Sequence, residues 1–226
     1  MANRTDSINI SKNIAKNNIA FTHNLISTSY HEAGHTIYGL LHLAKIESVR
    51  VFPYGKNKVH GFTNFDFFTA EDMSDSKLIN YAVISEICLM YAGLTAEKYH
   101  FKTISGSDKF PLFLKDGSSD DTKKAAKLIK QYEFARPGKQ RYRFKKNLIA
   151  KTLEELKNNW EAVNCIAHGL FQKKQLFHDD LKNLLCGGKN KKFWREQFKS
   201  IDHIYDNFGS IDEKYMRLIL DKHNLL

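Results

Sequence analysis

Two histidines four residues apart, the first followed by a glutamate, carry the most chemistry in this chain: His31-Glu32-Ala33-Gly34-His35. On a helix, positions i and i+4 share one face, so both imidazoles can reach one metal ion. Glu32 lies one residue further round, where a carboxylate can take a proton from a water that the metal activates. The H-E-x-x-H spacing therefore implies a hydrolytic zinc site of the peptidase kind, with His31 and His35 as ligands and Glu32 as base. The bare pattern also arises by chance on solvated helices. Its surroundings argue otherwise: Ile26, Ile37, Leu40 and Leu41 supply apolar positions, and Thr22 or Ser27 can cap a helix start. Gly34 costs about 1 kcal/mol relative to Ala inside a helix, which makes sense where a second element packs closely against it.

A catalytic zinc takes three protein ligands and keeps one position open, so a further ligand is required. Two carboxylates stand out. Glu97 follows an apolar run in Ala92-Gly93-Leu94-Thr95-Ala96-Glu97, where a charge needs a partner. Asp121 falls in the first turn of a helix capped by Ser118 or Ser119, where the helix dipole favours an acid; the same holds for Asp120 as a plain N-terminal acid. Spacing alone leaves the choice open. His23, Tyr30, Tyr38, His60 and Tyr91 are conceivable oxyanion helpers, each with a structural reading that weighs more.

The elements that must position these groups follow from periodicity. A first helix is expected from about Thr22 to Leu43. Ser48–Phe52 alternates like a strand and should stop at Pro53; turn residues and a second strand over Val59–Phe65, containing Gly61, complete a small ribbon. Ser76–Phe101 reads as a long helix, apolar all round from Tyr81 to Ala96 and so buried. A loop over Lys102–Lys115 leads to the helix of Asp121, and its position makes it a candidate lid. Arg136-Pro137-Gly138 breaks that helix; others are expected at Phe144–Gln172 and His178–Leu185, with two more in the last 35 residues. The expected fold class is mainly α (α+β), with a small sheet beside the metal helix. Three units are expected: a flexible segment at 1–20, the site-bearing domain at 21–188 and a helical extension at 189–226.

Composition narrows the function classes. At 226 residues with 42% hydrophobic content, one core is expected. Cys88, Cys165 and Cys186 are odd in number and in no metal-ligand spacing, which fits a reducing compartment. The N-terminus has no apolar signal region, and the Tyr81–Ala96 stretch, interrupted by Ser85 and Glu86, is too short to span a bilayer. A soluble, cytoplasmic protein is expected. Net charge is +10, with basic clusters at Lys139–Lys146 and Lys189–Lys192, but no nucleic-acid motif accompanies them, so nucleic acid is not expected as a partner.

Beyond single residues, the chain resembles the peptidase domain of the FtsH-type ATP-dependent zinc metalloproteases, from about Ile26 to Tyr132 and more weakly to Leu185. His31-Glu32-Ala33-Gly34-His35 has the family's usual Ala and Gly at the variable positions. Val49–Pro53 and Gly61-Phe62-Thr63 look like its two strands, Ala92–Glu97 like its A-G-R-x-A-E segment, and Gly117-Ser118-Ser119-Asp120-Asp121 like its G-A-S-N-D. Leu94 stands where the family has Arg, Asp120 where it has Asn, and the loop before Asp121 is longer than usual. The resemblance implies one Zn²⁺ per chain held by His31, His35 and Asp121, with Asp120 the neighbouring alternative and Glu97 orienting a ligating histidine. It also implies a helical zinc-metallopeptidase fold, a protein or peptide substrate that is unfolded or flexible, and a homo-oligomer, since the family's peptidase domains form hexameric rings. No Walker-type phosphate loop occurs in the sequence, so no ATP binding is expected, and a free-standing peptidase domain without a motor is. The alternatives are a catalytically silent binding or regulatory protein on the same fold, and a cytosolic regulatory metallopeptidase.

Overall fold

Residues 24–41 form helix α1, which ends by turning sharply into strand β1 (Lys45–Tyr54). The turn is closed by Ala44 N donating to Gly39 O at 2.9 Å and Leu43 N to Leu40 O at 3.2 Å. That is the Schellman pattern, and its left-handed position is taken by Leu43 at φ 63° rather than by glycine. The strain of about 1 kcal/mol is offset because the Leu43 side chain is fully buried. In this computed structural model residues 24–54, 58–66, 75–107, 119–132, 134, 137–207 and 220–221 are described. The described part is mainly helical, with one small antiparallel sheet.

β1 pairs with β2 (Lys58–Asp66) on one side and with the three-residue β3 (Gln175–Phe177) on the other, giving the order β2-β1-β3. Val49 and Val51 face the core, while Phe52 and, across from Arg50, Phe62 face outward. β1 does not stop at Pro53 as expected. β3 reaches only Ser48–Arg50, and Val51 N already turns to Lys174 O at 2.8 Å just past it. Two residues on, a proline's missing N–H falls on a side with no strand to receive it.

Helix α2 (Ser76–Ser105) is the central element. Asp75 caps it, accepting from Lys77 N at 2.7 Å and Leu78 N at 3.3 Å, and Gly106 at φ 65° ends it. The helix thus takes in residues 102–105 of the expected loop; residues 108–115 of the candidate lid lie outside the described residues. α2 is 30 residues long and apolar enough to cross a membrane by length and composition, and 67% of its most apolar window is buried inside the protein. The helix is longer than the Tyr81–Ala96 stretch on which the expectation of no bilayer span rests.

Helix α3 (Ser119–Gln131) packs on α2, as does α4 (Lys139–Asn158). The helical stretch expected over Phe144–Gln172 is two helices, because Asn159 separates α4 from α5 (Trp160–Lys173). Its amide closes α4 on Leu156 O, its side chain bonds Glu155 O at 3.0 Å, and its carbonyl receives Ala162 N at 3.0 Å. Helices α6 (His178–Cys186) and α7 (Lys191–Asp206) follow. α7 buries Trp194, Phe198, Ile201 and Ile204 in the same core as α1 and α2, and Gln197 Nε2 donates to Leu40 O at 2.7 Å. The segment 1–20 and most of the chain after 207 lie outside the described residues.

Candidate metal centre

The helical spacing of α1 puts His31 and His35 on one buried face, and each ring is anchored by the nitrogen that points away from its partner. His35 Nδ1 donates to Leu89 O at 2.8 Å. His31 Nδ1 faces Glu97 Oε2 at 3.3 Å. With the Nδ1 positions bonded outward, the two Nε2 atoms turn toward each other, 3.1 Å apart. Glu97 is itself held by Ser27 Oγ, which donates to its other oxygen. Ser27, Glu97 and His31 form a chain from a hydroxyl on α1, through a carboxylate on α2, to an imidazole.

Asp121 arrives from the first turn of α3. Its Oδ2 lies 3.3 Å from His31 Nε2 and 3.3 Å from His35 Nε2. Asp120, one residue earlier, points out to solvent and pairs with Lys123 at 3.2 Å. Of the two adjacent aspartates, Asp121 is therefore the one at the centre. Glu97 reaches only the far side of the His31 ring.

The donor set fits zinc in kind and in size. Two imidazole nitrogens and one carboxylate oxygen are a common catalytic set, and no other group of three such donors occurs among the described residues. Ligands about 2.0–2.1 Å from a tetrahedral ion stand roughly 3.3–3.4 Å from one another. The three edges here are 3.1, 3.3 and 3.3 Å. Without a metal, burial disfavours a charge on His31, but Asp121 and Glu97, helped by Glu32, outweigh it and push its pKa up to about 10. Burial likewise works against the Asp121 charge, and the two imidazoles overcome it, holding its carboxyl well below the usual range. The carboxylates gathered at this centre thus favour positive charge on His31 when no metal is present.

Three glycines shape the centre, and each is explained by space. At Gly34 a Cβ would stand 2.5 Å from Ala92 O and 2.7 Å from Ala96 Cβ, so this is where α1 and α2 touch. At Gly93 a Cβ would stand 2.6 Å from His31 Nε2 and would also overlap His35 Nε2. Gly93 thus keeps the donor atoms uncovered, a role that its place in an apolar helical run does not reveal. At Gly61 a Cβ would overlap the Glu32 carboxylate. Glu32 is buried, and its Oε2 accepts from Thr63 Oγ1 at 2.6 Å. The inward face of β2 is therefore the wall behind Glu32.

Four of the suggested oxyanion helpers are engaged in other contacts. Tyr30 stacks on His100 at 3.4 Å and donates to Asn164 Oδ1 at 2.9 Å. Tyr38 stacks on His42 at 4.3 Å. Lys145 covers the Tyr91 ring. His60 pairs across the sheet with Phe52 on the outer face. His23 lies outside the described residues. No family model matches the chain, and no curated protein matches it.

Proposed function

We propose that this protein is a zinc metalloendopeptidase of the H-E-x-x-H type, built like the FtsH-type peptidase domain, that hydrolyses peptide bonds in unfolded or flexible segments. The observation that carries this reading is the convergence of His31 Nε2, His35 Nε2 and Asp121 Oδ2 at zinc-sized spacing, with Glu32 buried on the same helix beside His31 and close enough to act on its charge. When bound there, zinc would supply a Lewis acid for the scissile carbonyl and lower the pKa of a water. Glu32 accepts the proton as the water oxygen bonds to the carbonyl carbon. The same proton then goes to the amine nitrogen as the C–N bond breaks. Glu97 keeps the His31 ring in the tautomer whose Nε2 faces the metal. Among the described residues β2 is an edge strand of the sheet, and its inner face touches Glu32. An extended peptide added along it would place alternate side chains toward the site, which favours flexible substrates over folded ones.

The test is Glu32→Gln. The amide keeps the shape and a hydrogen-bonding oxygen but cannot accept the proton. Zinc content and fold are expected to persist while casein cleavage falls at least about 100-fold. A zinc-loaded wild type that is as inactive as Glu32→Gln on a broad panel of unfolded peptides would favour the catalytically silent alternative.

A further inference from the structure

The geometry points to Thr63 as a positioning residue for Glu32, holding Oε2 and leaving Oε1 as the oxygen that takes the proton; this rests on the peptidase reading of Glu32. A buried carboxylate needs a donor on its oxygens. Thr63 Oγ1 meets Oε2 at 2.6 Å, from a residue distant in sequence and equally buried. The other oxygen lies over Gly61, two residues earlier on the same face of β2. Gly61 is not among the described glycines with positive φ, which are Gly106 and Gly138. Its missing side chain therefore serves space and not backbone freedom.

The two contacts give the two oxygens different surroundings. One is tied to a hydroxyl, and the other lies against Gly61, which offers neither a side chain nor a side-chain donor to hold it. Register enforces the arrangement: Gly61 pairs with Val51 and Thr63 with Val49, and both valines are buried. A slip of one residue would turn Thr63 and both valines to opposite faces of the sheet, so the hydroxyl is fixed by the core. A glutamate side chain has three rotatable bonds, and a charge-assisted hydrogen bond at its tip selects one rotamer. Such a partner acts on proton transfer and leaves metal and substrate binding largely alone.

The experiment compares the zinc-loaded wild type with Thr63→Val and Thr63→Ser. Valine keeps the volume and removes the donor. Thr63→Val is expected to lose about 10- to 100-fold in kcat on casein, with KM and zinc affinity within about twofold, and Thr63→Ser to recover most of the loss. A second readout needs no turnover: acetohydroxamate, a zinc chelator whose acidic proton the base accepts. Its affinity is expected to fall about tenfold in Thr63→Val, and little further when Glu32→Gln is added, because both changes remove one coupled interaction. Thr152→Val, which deletes a buried hydroxyl bonded to Leu148 O within α4, is expected to lower Tm without moving kcat. If Thr63→Val does not fold, Thr63→Ala carries the same expectations. Unchanged kcat and unchanged acetohydroxamate affinity in the Thr63 variant overturn the proposal and leave the peptidase reading standing. A wild type that cleaves nothing, but whose acetohydroxamate affinity depends jointly on Thr63 and Glu32, upholds the positioning and overturns the peptidase reading.

Discussion

The segment running from α1 into the following turn carries two buried histidines that each face a glutamate, and the two pairs end differently. His31 meets Glu97 through Nδ1, and its Nε2 meets His35 and Asp121. His42 meets Glu155 through Nε2 at 2.8 Å, and its Nδ1 meets Tyr81 OH at 3.0 Å and Ser85 Oγ at 3.4 Å. Around His42 the second nitrogen is met by hydroxyls, which can donate or accept as required, and Tyr38 stacks on the ring. That cluster is satisfied by the protein itself and ties α4 to the end of α1. Around His31, among the described residues, the second nitrogen meets only another imidazole nitrogen and a carboxylate oxygen, donors of electron pairs that repel unless a proton or a cation joins them. A buried histidine–carboxylate pair is thus not by itself a site; what faces the other ring nitrogen decides.

The sharpest way to break the comparison is to remove one histidine from each cluster. His35→Ala takes away one of the three proposed ligands, and zinc is expected to leave, with activity below detection. His42→Ala leaves the half-buried Glu155 short of a partner and is expected to cost about 1–3 kcal/mol of stability while keeping one zinc per chain. Zinc analysis and thermal melts on the two variants separate these outcomes. Equal zinc loss in both would make the distinction false.

A smaller change makes the first cluster resemble the second by filling it. Gly93→Ala places a methyl against both Nε2 atoms. It is expected to lower zinc affinity by about 10- to 100-fold or more, while a helical Ala for Gly is favourable by about 1 kcal/mol elsewhere. Competition with a chelator of known affinity reads the shift. An unchanged affinity would mean that the donors do not meet at this point.

The third difference lies in protons. Burial lowers the His31 pKa, but Asp121 and Glu97 raise it further, to about 10 in the metal-free protein. Because the folded value is raised, the stabilisation is complete below the ordinary value of 6.5 and is lost as pH rises through about 10. Metal-free protein is therefore expected to lose stability over that interval, and zinc-loaded protein much less. At pH 7 zinc must displace that proton, so its binding is expected to release about one proton and to tighten as pH rises. Calorimetry in buffers of different ionisation heat measures the release. No proton release would place the cation elsewhere.

How much of this was legible in the sequence depends on the range of the interaction. The α1 face, the hairpin and α2 follow from periods within one element, and Gly34 was readable because a glycine in an apolar helix invites close packing. Asp120 and Asp121 could not be separated by position, since adjacent helical residues differ only in direction and the packing of α3 on α2 sets which one faces in. Thr63 and Gly93 act across the fold: one needs the register of β2, the other the angle at which α2 crosses α1. β3 is too short to show a period, and the run of β1 past Pro53 depends on where β3 ends. Asn159 splits α4 from α5 although the apolar spacing of Leu156, Val163 and Ile166 continues across it.

The central claim is that three named atoms hold one zinc. Anomalous scattering at the zinc edge from crystals of the protein tests it most directly. The account predicts one peak per chain, about 2.0–2.2 Å from His31 Nε2, His35 Nε2 and one Asp121 oxygen, with Glu97 against the far side of the His31 ring. A peak ligated by Glu97 with Asp121 remote, or crystals grown with zinc that show no peak between the two histidines, would contradict it.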